Sequence, residues 1–337
     1  MTEQDLIRQL AGLKSVRAAV VGDVCLDAYW QADMQRSELS RETPHYTRPV
    51  YKERYSGGAL ANVALNLCDL GVARVSVFTI LGRDWRSQLL LDILAEKGIE
   101  TEHVILDPER LTPMFLKPIL EGFQTSEEAE RFDFLTPRPP EQEALDQLFR
   151  SLEGAISDLD CVLIGDQVLD GIVAPHLVEL LCSLARQNRR IVFTADSRYK
   201  IGSFQGMVWK PNDIEAARAI DRDLDASETA CRLLELGARV AFMTVGEQGC
   251  IVAEKSHSVH VPGVRVPPPI DFVGAGDAFH AAVAASLASG TAPVDAAFLG
   301  NLAAAVTIAK LGITGTATPE EVLTLAKHLS EQDGPDR

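Results

Sequence analysis

The sequence predicts an α/β fold in which a doubly wound, mostly parallel sheet is flanked by helices and carries a small β lid. Short β-branched runs at residues 16–24, 75–81, 161–164, 190–195, 240–245 and 250–253 read as strands, most of them apolar throughout, as in a sheet covered on both faces. Between them, residues 58–70, 85–97, 172–187, 213–219, 227–236 and 276–288 carry helical periodicity, several ending at glycine. That alternation builds right-handed βαβ units in one domain spanning residues 1–337. Two stretches, 28–56 and 111–135, break the rhythm. They are polar, aromatic-bearing and alternating, and are expected to project as the strands of the lid; long surface loops are the plainer alternative. The proline-rich segment 136–140 and the tail from Glu331 read as connectors.

Composition narrows the function. With 337 residues, 46% of them hydrophobic, the chain can bury a large core. A net charge of −16 would repel a phosphate backbone and no Lys/Arg stripe offsets it, so nucleic acid is not an expected partner and local cations must attract any anionic ligand. The six cysteines are scattered without a CxxC pair, the pattern of reduced thiols, which points to the cytoplasm. No segment approaches the roughly 18 apolar residues needed to span a bilayer, and the N-terminal stretch is acidic, so neither a membrane span nor a secretory leader is expected.

Four constellations carry chemistry. The run DFVGAGD, from Asp271 to Asp277, opens a helix of small residues; Gly274 and Gly276 let the chain turn tightly, so that the N–H groups of Ala275, Gly276 and Asp277 can form an anion hole. A carboxylate at that helix start can take a proton from a hydroxyl while the amides stabilise a transferring phosphoryl group. The plainer reading makes Asp277 an N-terminal cap. In YSGGALAN, residues 55–62, the glycine pair Gly57 and Gly58 allows close approach of a ligand, and Asn62 offers a donor and an acceptor to a polyol or caps the helix. In VGDVCLD, residues 21–27, an apolar strand ends in two carboxylates where open α/β sheets bind ligands, and Asp27 can accept two hydroxyl hydrogen bonds or serve a turn. In KPNDIE, residues 210–215, Asn212 and Glu215 stand one helical turn apart, suited to holding water around Mg²⁺ or to forming a capping box. A fifth segment, Thr244 to Gly249, is a glycine turn after a strand.

Together and in this order, these segments resemble the ribokinase-like (PfkB) carbohydrate kinases, over nearly the whole chain from Val16 to about Leu325. The resemblance implies ATP and Mg²⁺. It implies Asp277 as catalytic base with Gly274, Ala275 and Gly276 as the anion hole, and sugar contacts from Asp27, Gly57, Gly58 and Asn62. Asn212 and Glu215 would serve Mg²⁺ and phosphate, Thr244, Gly246 and Gly249 the nucleotide, and Asn301 the adenine. Asp271 and the loop near Gly312 resemble the monovalent-cation (K⁺) site of some members, with Phe272 departing from a position that is commonly Thr. The opening GDVCLDAYW, the segment SRETP at 40–44 and RFD at 131–133 resemble heptose-7-phosphate kinases of bacterial lipopolysaccharide synthesis, whereas the GGALAN spacing is closer to ribokinases and fructokinases. For a phosphorylated substrate, Arg41, Lys117 and Arg131 would supply the cations, unless they are solvated lid charges.

A nucleoside kinase on the same fold, with Tyr29, Trp30 or Tyr46 stacking on a base, is the alternative enzyme; a silent sugar-binding module is the alternative from another class, and it would need neither Asp277 nor the GAG turn. An NAD-linked dehydrogenase would need GxGxxG after the first strand, which Gly22-Asp23-Val24-Cys25 does not provide. Because an outer lid face stays uncovered in a two-layer arrangement, a homodimer joined through the lids is expected, with Tyr46, Val50 and Phe115 as candidate contacts.

Overall fold

A computed structural model describes residues 2–136, 138–220 and 224–332. Its strands are β1 (Arg17–Gly22), β2 (Val24–Asp33), β3 (Val50–Ala59), β4 (Arg74–Gly82), β5 (Val104–Asp107), β6 (Met114–Glu121), β7 (Ser126–Glu128), β8 (Phe132–Phe134), β9 (Cys161–Asp166), β10 (Val192–Ser197), β11 (Val208–Trp209), β12 (Val240–Thr244), β13 (Gly249–Glu254) and β14 (His257–Pro262). Its helices are α1 (Glu3–Leu13), α2 (Leu60–Asp69), α3 (Trp85–Glu96), α4 (Gln142–Ala155), α5 (Pro175–Gln187), α6 (Asp213–Ile220), α7 (Ala226–Glu235), α8 (Ala275–Ala288), α9 (Pro293–Ile308) and α10 (Pro319–Gln332).

Nine strands form the main sheet in the order β14-β13-β12-β11-β10-β9-β1-β4-β5. Pairing is parallel from β12 to β5, and β13 and β14 join antiparallel. The two-residue period of each strand assigns its side chains to two apolar layers. Ala18 and Val20 of β1 enter one layer and Ala19 and Val21 the other; Val75 and Val77 of β4 are likewise divided from Phe78 and Ile80. Helices α1, α2, α3, α8, α9 and α10 close the first layer, and α4 to α7 the second. This is the doubly wound, ribokinase-like architecture expected.

The expected strand at 16–24 divides at Gly22 and Asp23. Gly22 has φ +139°, and a Cβ there would lie 3.1 Å from the backbone carbon of Gly165, so only glycine lets β1 turn away beside β9. Asp23 then sends the chain into a second sheet, ordered β3-β2-β6-β7 with β8 also paired to β6. Its strands occupy the two stretches read as a lid. The helix expected from residue 58 begins at Leu60, because Gly57 and Gly58 complete β3 and Ala59 makes the turn at φ +48°. The connector expected from Glu331 is helical through Gln332, and Pro137 and residues 333–337 lie outside the described residues.

Register gives the lid its two faces. Tyr29 pairs with Arg54 on β3 and Lys117 on β6, setting these three abreast, and Asp27 pairs with Ser56 and Phe115 on the same face. That face meets the main body: Asp27 and Tyr29 both hydrogen-bond to Thr314 in the α9–α10 connection. The opposite face buries Leu26, Ala28 and Leu116 in the apolar layer shared with α3, with Tyr55 edge-on to Trp85 at 6.1 Å. No helix among the described residues is long and apolar enough to cross a membrane.

Candidate active site

Asp277 sits in the first turn of α8. The N-cap is Gly274 in the left-handed region (φ 85°), so Asp277 is the third helical residue and its carboxylate makes no capping hydrogen bond. The capping alternative therefore does not hold. The carboxylate instead accepts from Asn62 Nδ2 at 2.9 Å. Asn62 is fully buried on α2, and Asn66, one turn on, donates to its carbonyl at 2.9 Å and approaches its Oδ1 at 3.3 Å. A Cβ on Gly274 would stand 2.7 Å from Asn62 Nδ2, so the glycine is what lets the α8 turn close over Asn62. Burial is the main cause that pushes the Asp277 carboxyl up to about 7; Asp196 and Asp27 add to the rise, while the Asn62 hydrogen bond and Lys210 oppose it.

The turn offers fewer free amides than the expected anion hole would use. Ala275 N–H closes a turn onto the Phe272 carbonyl at 3.3 Å, whereas the N–H groups of Gly276 and Asp277 find no acceptor among the described residues. Beside them lies a buried ion pair, Lys210 Nζ to Asp196 Oδ2 at 3.0 Å, with both side chains 7% exposed. A Cβ on Gly276 would be 3.7 Å from the Lys210 ammonium. Sequence reasoning missed both members as site residues. Asp196 is the last residue but one of β10, at the carboxyl edge of the parallel sheet where ligands bind in open α/β folds, and that was the available signal.

On the lid side, Asp27 Oδ2 accepts from Thr314 Oγ1 at 2.9 Å and faces Lys117 Nζ at 3.4 Å. Lys117 also donates to Tyr29 OH at 3.0 Å. Gly58 is required here: a Cβ would fall 2.8 Å from the Asp27 carboxyl carbon. Asp23, the other carboxylate of the motif, is structural; it accepts the N–H groups of Gln167, Val168 and Ile172, each at 2.9 Å, and pins the loop after β9. Arg131 joins Asp133 at 2.6 Å and lies over the Phe115 ring, so Phe115 faces the pocket rather than the lid exterior. Arg41 is exposed in the irregular segment between β2 and β3.

The remaining candidates line the carboxyl edge beyond Lys210. Asn212 Oδ1 accepts from Glu215 N–H at 2.8 Å and Glu215 Oε2 from Asn212 N–H at 2.9 Å, so the capping box is formed. Burial, then Asp196, raises the Glu215 pKa. Thr244 N–H bonds to the Pro211 carbonyl at 3.0 Å, which joins the two segments. At Gly246 (φ +59°) a Cβ would meet nothing within 4 Å, leaving backbone open to a ligand; at Gly249 (φ +96°) it would fall 2.7 Å from Pro262, so that glycine serves the approach of β13 to β14. Asn301 donates to the Val261 and Pro262 carbonyls at 3.1 and 2.9 Å, spending its amide hydrogens on bracing β14. Asp271 accepts from Val273 and Gly312 N–H, both at 3.0 Å, tying the anion-hole turn to the α9–α10 connection, while Phe272 is 72% exposed.

A carboxyl raised to about 7, two free amides at a helix start and a second carboxylate under the lid thus lie along one edge of the sheet, a donor set suited to a phosphotransferase with an alcohol group as acceptor. A model of the pfkB family carbohydrate kinases matches residues 17–321, and the chain belongs to that family. Among curated relatives, the bifunctional protein HldE of Geobacter sulfurreducens is 30% identical over 317 residues, covering 92% of this chain and 62% of that protein. HldE of Shewanella piezotolerans is 29% identical, covering 96% and 66%. The chain thus spans a little under two thirds of the relatives' length. Among solved structures, Arabidopsis thaliana ribokinase complexed with ribose and ATP superposes with a TM-score of 0.71 at 15% identity, covering 93% of this chain and 99% of that one. Escherichia coli phosphofructokinase-2 in complex with substrates and products gives 0.72 at 18%, covering 94% and 99%.

Proposed function

We propose that this carbohydrate kinase transfers the γ-phosphoryl group of ATP to a hydroxyl of a sugar or sugar phosphate, with Asp277 as general base. The observation that carries the proposal is the Asp277 carboxyl, pushed up to about 7 and held by Asn62 beside the free amides of Gly276 and Asp277. A base with that pKa takes a proton at neutral pH as the O–H bond breaks. The hydroxyl oxygen then bonds to the γ-phosphorus, the bond from that phosphorus to the bridging oxygen breaks, and ADP leaves with the electron pair. The two amides and the Lys210 ammonium stabilise charge on the transferring group, and Asp27, steadied by Thr314, orients the acceptor.

The donor set fits ATP: Lys210 and the open backbone at Gly246 lie along one edge with the α8 turn. Mg²⁺, which would neutralise phosphate charge when bound, fits only as an ion held mostly by water and phosphate. Asp196 is paired to Lys210, Asn212 and Glu215 cap one another, and no cluster of three or more metal-ligating side chains occurs among the described residues. Asp271 braces backbone with both oxygens, so K⁺ at this loop would rely on carbonyls. The nucleoside reading loses its stacking residues: Tyr29 is 4% exposed and hydrogen-bonded at its hydroxyl, Trp30 faces away from Asp27 and bonds Tyr55, and Tyr46 is 69% exposed in the irregular segment. The lid face carrying Leu26, Ala28 and Leu116 is covered by the layer of α3 and not left open as expected, so a lid homodimer would rest on the exposed Tyr46 and Val50 as candidate contacts, without Phe115.

The test is ADP formation from ATP and Mg²⁺ over a panel of sugars and sugar phosphates, with nucleotide binding measured by calorimetry. ATP binding with acceptor-dependent ADP release supports the proposal. Binding of a sugar without any ATP binding would establish the silent module instead.

A further inference from the structure

From Ala278 to Ala285, α8 buries alanine, phenylalanine and valine side chains and one polar one, His280, which is 1% exposed. His280 Nε2 meets Thr194 Oγ1 on β10 at 2.7 Å, and its Nδ1 is buried without a hydrogen-bond partner. A leucine would fill the same space without a buried, unpartnered nitrogen, so stability alone does not account for the imidazole. Burial is the main cause that pushes its pKa down to about 4; Asp196 opposes the fall and Lys210 adds to it, so the ring is uncharged at neutral pH.

His280 stands one helical turn after Gly276 and Asp277, and helical side chains lean back toward the N-terminus, so the imidazole covers the turn that carries the free amides and the base. On β10, Phe193 and Ala195 enter the second apolar layer, which turns Thr194 and Asp196 toward α8. The same strand end holds Lys210 twice: its N–H donates to the Ala195 carbonyl at 2.9 Å, and its ammonium pairs with Asp196 at 3.0 Å. The His280–Thr194 contact is the one hydrogen bond that joins α8 to β10 among the described residues. It therefore sets the strand end that holds Lys210 against the helix turn that holds Asp277.

Resting on the kinase reading above, we propose that His280 is a positioning residue that, through Thr194, keeps the Lys210 ammonium in register with the free amides of Gly276 and Asp277. Ammonium and amides then converge on one transferring group, and a shift of about 1 Å between them weakens charge stabilisation in the transition state more than it weakens substrate binding. A neutral ring suits this place, because a charged one would compete with Lys210 for Asp196.

The test sets turnover against stability. Thr194→Val and His280→Leu each leave one buried partner unsatisfied and should lower the melting temperature, whereas the double variant Thr194→Val/His280→Leu removes both and should recover it. Turnover should not recover. In the double variant kcat should fall about tenfold to a hundredfold, with the acceptor KM and the calorimetric affinity for a non-hydrolysable ATP analogue with Mg²⁺ close to wild type. His280→Gln, whose amide can reach Thr194, should keep most of the turnover, and the shorter His280→Asn should not; this pair decides the matter if the double variant does not fold. Turnover that recovers with the melting temperature, a loss of analogue binding in the double variant, or equal turnover in His280→Gln and His280→Asn would reduce His280 to a packing residue and overturn the role. A wild type that binds no analogue, or forms no ADP with any acceptor of the panel, would overturn the kinase reading and this role with it.

Discussion

Asp277→Asn should impair catalysis and raise stability, two effects of opposite sign from one cause. Removing the base should lower kcat about 10²- to 10⁴-fold. The stability gain follows from linkage. The native carboxyl holds its proton up to about pH 7, whereas its ordinary value is 3.8, so between those limits the folded state binds more protons than the unfolded one and stability falls as pH rises. Above pH 7 the full penalty applies. A rise of about three pH units corresponds to about 4 kcal/mol, and solvent facing the cleft reduces this to about half. Asparagine carries no such penalty, so the melting temperature of Asp277→Asn minus that of wild type should grow from pH 5 to pH 7 and then level off. A helix-capping aspartate would behave oppositely, losing about 1 kcal/mol on substitution. Near-wild-type turnover, or a variant less stable than wild type at pH 8, would refute the reasoning.

Other substitutions probe the supports. Asn62→Ala removes a hydrogen bond that lowers the Asp277 pKa, so the acid limb of the rate profile should move up by about one pH unit; an unmoved limb would mean that Asn62 does not serve the base. Gly58→Ala should push the Asp27 carboxylate aside and cost about 10²-fold in kcat/KM for the acceptor with the KM for ATP unchanged; equal losses for both substrates would point to a general collapse of the lid. Asn212→Ala and Glu215→Ala should each cost about 1 kcal/mol of stability as cap losses, and a raised Mg²⁺ requirement in rate assays would add the metal role to the cap, while an unchanged one would leave the cap alone. If lids pair between copies, light scattering should find a wild-type dimer that Tyr46→Glu dissociates, and a monomeric wild type would end that reading.

Legibility in the sequence followed how local each signal was. The apolar runs of β1, β9 and β12 and the small-residue helix α8 announce themselves because burial on both faces leaves nothing polar to confuse the pattern. Helix α4 was missed although Leu145, Leu148 and Leu152 are fully buried, because that stripe is narrow and the other faces are charged. Strand β11 is two residues long and exists through its neighbours β10 and β12. Within the candidate site, Asp277 and Asn62 stand out because glycine turns precede them in sequence, and Asp27 because an apolar run ends in two carboxylates. Lys210 and Asp196 do not, because they are set by each other across segments that the fold brings together, and Asp23 and Asp27, four residues apart, bond to different segments, the loop after β9 and Thr314, for the same reason.

On the mechanism proposed above, the same contacts link acceptor choice to base strength. Asp277 is half-buried between the α8 turn and α2, and α2 leaves the lid strand β3 at Ala59, directly after the glycine pair that accommodates Asp27. Asp27 is also one of the charges that raise the Asp277 pKa. An acceptor that donates hydroxyl hydrogens to Asp27 spreads that negative charge and lowers its repulsion of Asp277, while filling the cleft removes the water that remains around the base. The two effects oppose each other, so the kinetic pKa in the presence of saturating acceptor stays within reach of neutral pH instead of climbing with desolvation. An acceptor lacking the hydroxyl that meets Asp27 would bring the desolvation without the relief. Its reaction should therefore require a higher pH, a discrimination that operates on the base itself and not only on binding.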